Sequence, residues 1–160
     1  MASNLQKFID IMKHPVKFRM FLFTKLPVAL FSGLRVEDLN AKRCMISVPY
    51  KWFNKNPFRS TYFATLSMAG EMSTGALGMA YLYKLPSPVS LLVVSIEGKF
   101  LKKALGRTYF TCEDGLLFAT AIDETIKTGE ARTVQALTTG RNQEGIMVAE
   151  FRVTWSFKRR

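Results

Sequence analysis

Glu71 is the residue whose type and setting point most directly to chemistry. It is the only charged residue between Arg59 and Lys84, and the segment around it is apolar and rich in small residues. A carboxylate buried there costs on the order of several kcal/mol unless it is paired, hydrogen-bonded or protonated. Glu71 is therefore either a general base or nucleophile at a cleft, or a structural carboxylate that pairs with an arginine of a partner subunit. Taken alone, the residue favours the structural role.

The loop upstream of Glu71 adds an amide and an anion site. Asn56 precedes Arg59, Ser60 and Thr61, and a helix is expected to begin at this point. Ser60 or Thr61 is the predicted N-cap, and the free N–H groups of the first turn form a site for an oxyanion or phosphate. Together these groups could serve acyl transfer. The structural alternatives are a turn residue (Asn56), a solvated cation (Arg59) and a simple cap (Ser60).

Basic residues dominate the charge of the chain. Lys and Arg number 23 against 12 Asp and Glu, a net charge of +11, which predicts an anionic partner or ligand. One cluster comprises Lys99, Lys102, Lys103 and Arg107. It is expected either to hold the phosphates of a nucleotide-like carrier such as coenzyme A or to be a solvated sheet edge. Nucleic acid is not the expected partner, because the cations are scattered and no recognised binding motif is present.

Several other chemistries are disfavoured. His14 is the single histidine, so neither a Ser-His-Asp site nor a metal site with Cys44 and Cys112 is expected. P-loop and dinucleotide glycine motifs are lacking. The few cysteines predict a reduced, cytoplasmic setting. No signal peptide is recognised, and the charge-free runs are shorter than the roughly 18 residues of a membrane span, so no stable membrane insertion is expected.

A long helix and several strands must position these groups. The segment 61–83 is the predicted central helix, and because it is apolar on nearly every side, a sheet curled around it would bury it. A short extra helix is predicted over 116–128. The predicted strands are 34–40, 43–50, 89–100, 107–112, 133–139 and 146–157. We expect a single domain over 1–160.

Residues 1–30 are predicted to form a helical N-terminal arm. Apolar residues recur at helical spacing from Leu5 to Met12, and Pro15 interrupts them. The apolar stretch after Pro15 carries scattered cations. It is either a second helix packed on its own domain, which is favoured, or an arm that faces a membrane surface.

The sequence resembles the hot-dog thioesterase superfamily in its central helix, in the strand ending GKFLKKALG and in the terminal strand IMVAEFRVTWSFKRR. In the phenylacetyl-CoA thioesterase-like branch an Asn is followed by a Gly three positions on, by His-Gly-Gly, and by a helical Asp 15 positions after the Asn. Glu71 stands 15 positions after Asn56 and so matches that spacing. Arg59 replaces the first Gly, and residues 62–64 (Tyr-Phe-Ala) replace His-Gly-Gly.

A closer resemblance covers residues 15–158 and links the chain to a group of uncharacterised hot-dog proteins, a domain of unknown function. The shared phrases are NPFRSTYFA, EMSTGA, TYFTCEDG, TGEARTV and TWSFK. The resemblance implies an α+β hot-dog fold, in which a curved antiparallel sheet wraps a long central helix, with an N-terminal helical arm and one extra short helix. It also implies a homodimer or dimer of dimers with pockets at the subunit interface.

The resemblance further implies an acyl-CoA thioesterase, with coenzyme A as part of the substrate and no separate cofactor or metal. In this hypothesis Glu71 activates water or attacks the thioester carbonyl, and Asn56 orients the water or the carbonyl. The backbone N–H groups of Tyr62 and Phe63 hold the oxyanion. The remaining pocket and phosphate-binding residues are Arg59, Ser60, Lys99, Lys102 and Lys103.

Two alternatives stay open beside this hypothesis. One is a non-catalytic fatty-acyl or lipid binder that uses the hot-dog tunnel without turnover, which the lost glycines and the abundant Phe and Met indicate. The other is a structural dimer in which Glu71 pairs with Arg59 across the interface. All three remain possible because one fold hosts many functions.

Overall fold

Six strands form one antiparallel sheet in the computed structural model, which describes residues 2–160. The helices are α1 (Ala2–Lys13), α2 (Pro15–Lys25), α3 (Pro27–Ser32), α4 (Phe63–Leu82) and α5 (Gly115–Thr128). The strands are β1 (Arg35–Leu39), β2 (Cys44–Val48), β3 (Val89–Phe100), β4 (Thr108–Cys112), β5 (Arg132–Arg141) and β6 (Met147–Arg159). A single 3₁₀ turn spans Trp52–Asn54.

The strands follow the order β1-β2-β4-β5-β6-β3, and every neighbouring pair is antiparallel. Helix α4 contacts β2, β4, β5, β6 and β3, so it lies across the sheet as the central helix. Helices α1 to α3 precede the sheet, and α5 is inserted between β4 and β5. The predicted architecture of an antiparallel sheet, a long central helix, N-terminal helices and one extra helix is confirmed. None of the helices within residues 2–160 is long and apolar enough to cross a membrane.

Small residues of α4 allow the sheet to approach the helix closely. A Cβ atom at Gly70 would lie 2.5 Å from the ring of Phe151 on β6, so that ring fits only because the position has no side chain. The polar side chains on the same face are paired within the core. The Ser73 hydroxyl lies 2.7 Å from the Thr138 hydroxyl in a buried hydrogen bond. We call this face, whose buried residues include Gly70, Ser73 and Thr74, the sheet face of α4.

A second face of α4 is only partly covered by the rest of the chain. Ala64, Ser67, Met68 and Glu71 recur at the spacing of one helix face, and each is exposed or half-buried. We call this the open face of α4. The expectation of burial on nearly every side is thus met on the sheet face but not on the open face, because the sheet and the other helices leave one stripe free.

The two edges of the sheet differ as well. Strand β1 has five residues, contains a register shift between Val36 and Asp38, and contacts helix α1. Strand β3 also contains a register shift, between Val93 and Ser95, but it has 12 residues and exposes Leu92, Val94 and Ile96. A long edge strand with exposed apolar side chains is a template for pairing with another strand. The β3 edge is therefore longer and more apolar than the β1 edge.

Candidate functional site

A groove of about 550 Å³ lies at the start of helix α4. It runs between the loop 55–62, the first turn of α4, and the end of β3 with the segment 101–104 that follows it. Predicted site residues that line it are Asn56, Ser60, Tyr62, Phe63, Lys102 and Lys103. We call it the N-terminal groove. Arg59, Glu71 and Lys99 do not line it.

Asn56 organises the loop that forms one wall of this groove. Its Oδ1 accepts hydrogen bonds from the backbone N–H groups of Phe58 (3.0 Å) and Ser60 (3.2 Å). Its Nδ2 donates to the hydroxyl of Ser60 at 3.1 Å. This is the side-chain-to-backbone pattern of an Asx turn. Asn56 therefore holds the backbone that leads into α4.

Arg59 occupies a backbone conformation that favours glycine. Its φ angle is 60°, in the left-handed region that an L-residue adopts at a cost of roughly 1–2 kcal/mol. This is the position at which the resembling branch has a glycine. The side chain of Arg59 is exposed and does not line the groove.

The capping prediction for Ser60 or Thr61 is wrong. The N-cap of α4 is Tyr62, with no side-chain capping hydrogen bond. The hydroxyl of Thr61 donates instead to the backbone carbonyl of Ala104 at 3.2 Å. Thr61 also forms an isolated antiparallel bridge with Lys55. These contacts keep the chain extended through Thr61, and the helix can begin only after it.

The late start of the helix decides which backbone N–H groups are free. The Tyr62 N–H donates to the carbonyl of Asn54 at 2.7 Å and is not available to a ligand. Among the hydrogen bonds of residues 2–160, none uses the N–H of Phe63 or Ala64. These two open the helix, where the backbone dipoles favour a negative charge. The free pair is thus Phe63 and Ala64, and the sequence interpretation missed Ala64 because it placed the helix start too early.

The bulky residues at the positions of His-Gly-Gly border the groove and do not fill it. The rings of Tyr62 and Phe63 are both exposed and meet edge-on with centroids 4.9 Å apart. Phe63 also meets Phe100 at 6.1 Å, and Phe100 meets the buried Phe151 at 5.5 Å. An edge-to-face series of aromatic rings therefore joins the groove to the core, which suits an apolar ligand portion.

The three predicted phosphate-binding lysines do not lie in one site. Lys102 and Lys103 line the groove, and Lys103 Nζ donates to the carbonyl of Phe58 at 3.2 Å. Lys99 lies on β3 opposite Glu150. Since successive side chains of a strand point to opposite sheet faces, Lys99 and the groove residue Phe100 are directed apart. Only Lys102 and Lys103 are positioned for an anion in this groove.

Glu71 lies on the open face of α4, half-buried and away from the groove. No hydrogen bond or ion pair within residues 2–160 reaches its carboxylate, and no pair with Arg59 forms within the chain. Burial raises the pKa of Glu71 to about 6. Along the helix axis, Glu71 is about 12 Å from Phe63, given 1.5 Å per residue. A half-buried carboxylate without a partner is a candidate acid or base.

A second cavity, of about 620 Å³, lies at the other end of α4. Its walls come from α1, the end of α4 with the segment after it, and α5. Its apolar and aromatic lining includes Leu5, Tyr81, Tyr83, Leu85, Ile122 and Ile126. We call it the C-terminal cavity. It contains none of the predicted site residues, and its walls come from segments too distant in sequence for a local pattern to indicate it.

Solved structures with the same architecture include three that match most of this chain. A protein of unknown function from Pseudomonas aeruginosa, described as a probable thioesterase, has 20% identity and a TM-score of 0.77 over 94% of this chain and 99% of its own. A protein of unknown function from Chlorobaculum tepidum has 16% identity and a TM-score of 0.76 over 93% and 99%. A thioesterase from Haemophilus influenzae has 11% identity and a TM-score of 0.65 over 93% and 95%.

These likenesses show the fold alone, because the identities are low. The chain has the α+β hot-dog fold, and the predicted fold class is confirmed. No protein-family model and no curated protein sequence matches the chain. Its activity must therefore be argued from its own residues.

Proposed function

We propose that the protein is an acyl-CoA thioesterase, similar to the phenylacetyl-CoA thioesterase-like branch, whose site forms between two copies of the chain. The observation that carries the proposal is the unpaired carboxylate of Glu71, half-buried on the open face of α4. The carboxylate has no partner within residues 2–160 and is not fully exposed, so a structural role for Glu71 would require an arginine of a partner subunit. The free N–H groups of Phe63 and Ala64 supply the second element that acyl transfer needs.

The separation between Glu71 and the free amides is too large for both groups of one chain to act on the same substrate carbonyl. A reacting carbonyl must lie roughly 3 Å both from the attacking water and from the donors that hold its oxyanion, and the base must lie within hydrogen-bond reach of that water. Within one chain, Glu71 and the Phe63 amide are about 12 Å apart along the helix. We therefore assign Glu71 to one copy and the helix start to the other.

The β3 edge supports such a pairing. Leu92, Val94 and Ile96 are exposed along this strand, whose outer backbone groups have no partner strand in the six-stranded sheet. In a twofold dimer joined at β3, the two α4 helices would run antiparallel, and we infer that their open faces meet across the twofold axis. The start of one helix would then approach the middle of the other. This arrangement brings Glu71 of each copy toward the Phe63 and Ala64 amides of its partner.

In the proposed mechanism, ionised Glu71 takes a proton from water as the water oxygen attacks the thioester carbonyl carbon. The carbonyl oxygen becomes an oxyanion, and the N–H groups of Phe63 and Ala64 donate to it. The intermediate collapses by breaking the carbon–sulfur bond, and the leaving thiolate receives the proton that Glu71 had taken. A pKa of about 6 leaves Glu71 mostly ionised at neutral pH, yet more basic than an ordinary carboxylate.

The remaining groove residues bind and orient the substrate in this proposal. Lys102 and Lys103 bind phosphates of coenzyme A, and the aromatic rings of Tyr62 and Phe63 contact an apolar portion of the substrate. Asn56 fixes the turn before α4 and so positions the free amides, because its Oδ1 and Nδ2 both make hydrogen bonds within the loop.

The direct test is hydrolysis of short-chain to long-chain acyl-CoA thioesters by wild type and by Glu71→Gln. We expect turnover in the wild type and a loss of kcat of about 100-fold or more in the variant, the usual contribution of a general base. Ser67→Ala, on the same open face, is the matched control and should keep full activity. Equal turnover in Glu71→Gln and wild type would contradict the proposal.

A second candidate is a fatty-acyl binder without turnover, and the C-terminal cavity favours it. A volume of about 620 Å³ lies within the range of small-molecule sites, and the lining is mainly apolar. If this function is correct, fatty acids should raise the melting temperature in proportion to their binding. The substitution Ile126→Trp, which would occupy the cavity, should remove that shift, while acyl-CoA hydrolysis by the wild type should be undetectable.

A further inference from the structure

Helix α2 carries apolar residues on two opposite sides. Only one of these sides packs against the core of the protein. Phe18 and Leu22 are buried beneath the helix. Val16, Met20 and Phe23 are exposed, Phe23 by 67%. Their spacing of four and three residues places them on a common face that points away from the core. Packing within the chain therefore does not explain this outer face.

A second group of exposed apolar side chains lies on helix α3 and the adjoining 3₁₀ turn. Phe31 of α3 contacts Phe53 of the turn, with ring centroids 6.4 Å apart. Asn54 fixes the turn beside α3, because its Nδ2 donates to the carbonyl of Ser32 at 2.8 Å. Trp52 is 79% exposed although its turn is fixed in this way. The arm surface, as we call the two groups together, comprises Val16, Met20, Phe23, Val28, Phe31, Trp52 and Phe53.

The charges on these segments are of one sign. No Asp or Glu occurs in residues 11–36 or in residues 39–70. Exposed cations lie on the same elements as the apolar residues: Lys17, Arg19, Lys25, Lys51 and Lys55. None of these five forms an ion pair within residues 2–160. The positive charge is therefore available to an external anionic surface.

We propose that the arm surface binds the surface of an anionic lipid bilayer. Bulky apolar side chains at an exposed helix face, with lysines and arginines beside them, are typical of elements that lie in a membrane interface. Trp is enriched at the boundary between headgroups and acyl chains, and Phe is common on the apolar face of helices that lie there. The proposed binding is peripheral, with the exposed side chains entering the headgroup region.

Charge and side-chain type favour a bilayer over nucleic acid. Val16, Met20 and Val28 have no aromatic ring to stack on a base, whereas stacking platforms for single strands are aromatic. A lipid surface instead accommodates aliphatic and aromatic side chains equally. The inference does not depend on the proposed thioesterase activity, because it uses none of the residues assigned to that site.

The first measurement is flotation of the full chain with vesicles of phosphatidylcholine alone or mixed with phosphatidylglycerol. We expect at least tenfold stronger binding to the mixed vesicles and a fall in that binding at high salt, because exposed charges are then screened. Trp52 serves as an internal probe, since the other tryptophan, Trp155, is only 4% exposed. Lipids brominated in their acyl chains should quench the fluorescence of Trp52. Absence of binding to the mixed vesicles, or equal binding to both, would overturn the proposal.

Matched variants distinguish vesicle binding by the arm surface from nonspecific hydrophobic binding. Met20→Ser with Phe23→Ser should lower vesicle binding at least tenfold, and Lys51→Glu with Lys55→Glu should lower it to the level of neutral vesicles. The control is Leu116→Ser with Leu117→Ser on α5, where Leu116 is 57% exposed, and it should bind like the wild type. Circular dichroism verifies the fold of each variant. Equal losses in the α5 control would contradict the assignment.

A second copy of the chain, or a protein partner, is the competing occupant. Light scattering decides between self-association and lipid binding. If Met20→Ser with Phe23→Ser lowers the molar mass of the particle and the wild type does not float with anionic vesicles, the surface is an interface between protein chains and the proposal is wrong. If the mass is unchanged and vesicle binding is lost, the proposal holds.

Discussion

Helix α4 presents two faces with different chemistry. On the sheet face, Gly70 accommodates the Phe151 ring, and the polar Ser73 is hydrogen-bonded inside the core. On the open face, Glu71 is half-buried with no partner for its carboxylate within residues 2–160. On the sheet face, every polar group named here is hydrogen-bonded within the core. On the open face, the Glu71 carboxylate makes no contact that would explain its presence by packing. We therefore predict that substitutions on the sheet face act through packing, whereas substitutions at Glu71 act through its charge and on the proposed activity.

The largest effect on stability should come from the sheet face. Gly70→Ala places a Cβ atom 2.5 Å from the Phe151 ring, so the ring or the helix must shift. We expect a loss of about 3 kcal/mol in the free energy of unfolding, the upper part of the usual range for overpacking. Urea denaturation measures it. A variant as stable as the wild type would show that the two elements do not pack this closely.

The second largest effect on stability is expected at Glu71, where substitution should stabilise the protein. Burial raises the pKa of Glu71 in the folded protein to about 6, above its value in the unfolded chain. The folded state therefore binds the proton more tightly, and stability falls as the pH rises toward about 6 and stays lower above it. Glu71→Gln, which carries no charge, should stabilise the protein at pH 8 by on the order of 2 kcal/mol and at pH 4 by almost nothing. An equal change at both pH values would contradict a buried charge at this position.

The smallest effects on stability are expected from replacing one serine by alanine on each face of α4. Ser73→Ala leaves the hydroxyl of Thr138 without its buried partner and should cost about 1 kcal/mol. Ser67, on the open face, donates only to the carbonyl of Phe63 within its own helix. Ser67→Ala should therefore change stability by less than about 0.5 kcal/mol. Similar losses at both positions, measured by urea denaturation, would remove the distinction between the faces.

Local patterns were sufficient for most of the fold. Strand β6 alternates buried Phe151, Val153, Trp155 and Phe157 with less buried residues, and this period of two is visible in the sequence. The small, apolar composition of α4 likewise indicated a helix packed closely against other backbone. In both cases the signal lies within one segment, so no knowledge of the tertiary structure is needed.

The site depends on contacts that no local pattern contains. The start of α4 is delayed by the pairing of Thr61 with Lys55 and Ala104, which moves the free amides to Phe63 and Ala64. The C-terminal cavity needs three helices from different parts of the chain. The separation of Lys99 from Lys102 and Lys103 could have been predicted from the sequence, because side chains alternate between the two faces along β3.

Subunit complementation tests whether Glu71 of one copy acts with the helix start of the other. Phe63→Pro removes one oxyanion donor but keeps the helix, because proline is favoured at the first helical position and Tyr62, at φ −60° and ψ 134°, already has the conformation that precedes proline. Phe63→Ala controls for loss of the ring and should keep more thioesterase activity than Phe63→Pro.

The decisive measurement is the thioesterase activity of Glu71→Gln and Phe63→Pro, each alone and after the two chains are mixed and allowed to exchange. We predict that each variant alone is nearly inactive. The mixture should recover about a quarter of wild-type activity, because half of the dimers are mixed and each has one intact site of two. A mixture no more active than either variant alone would show that both groups act within one chain, and would contradict a site shared between two copies.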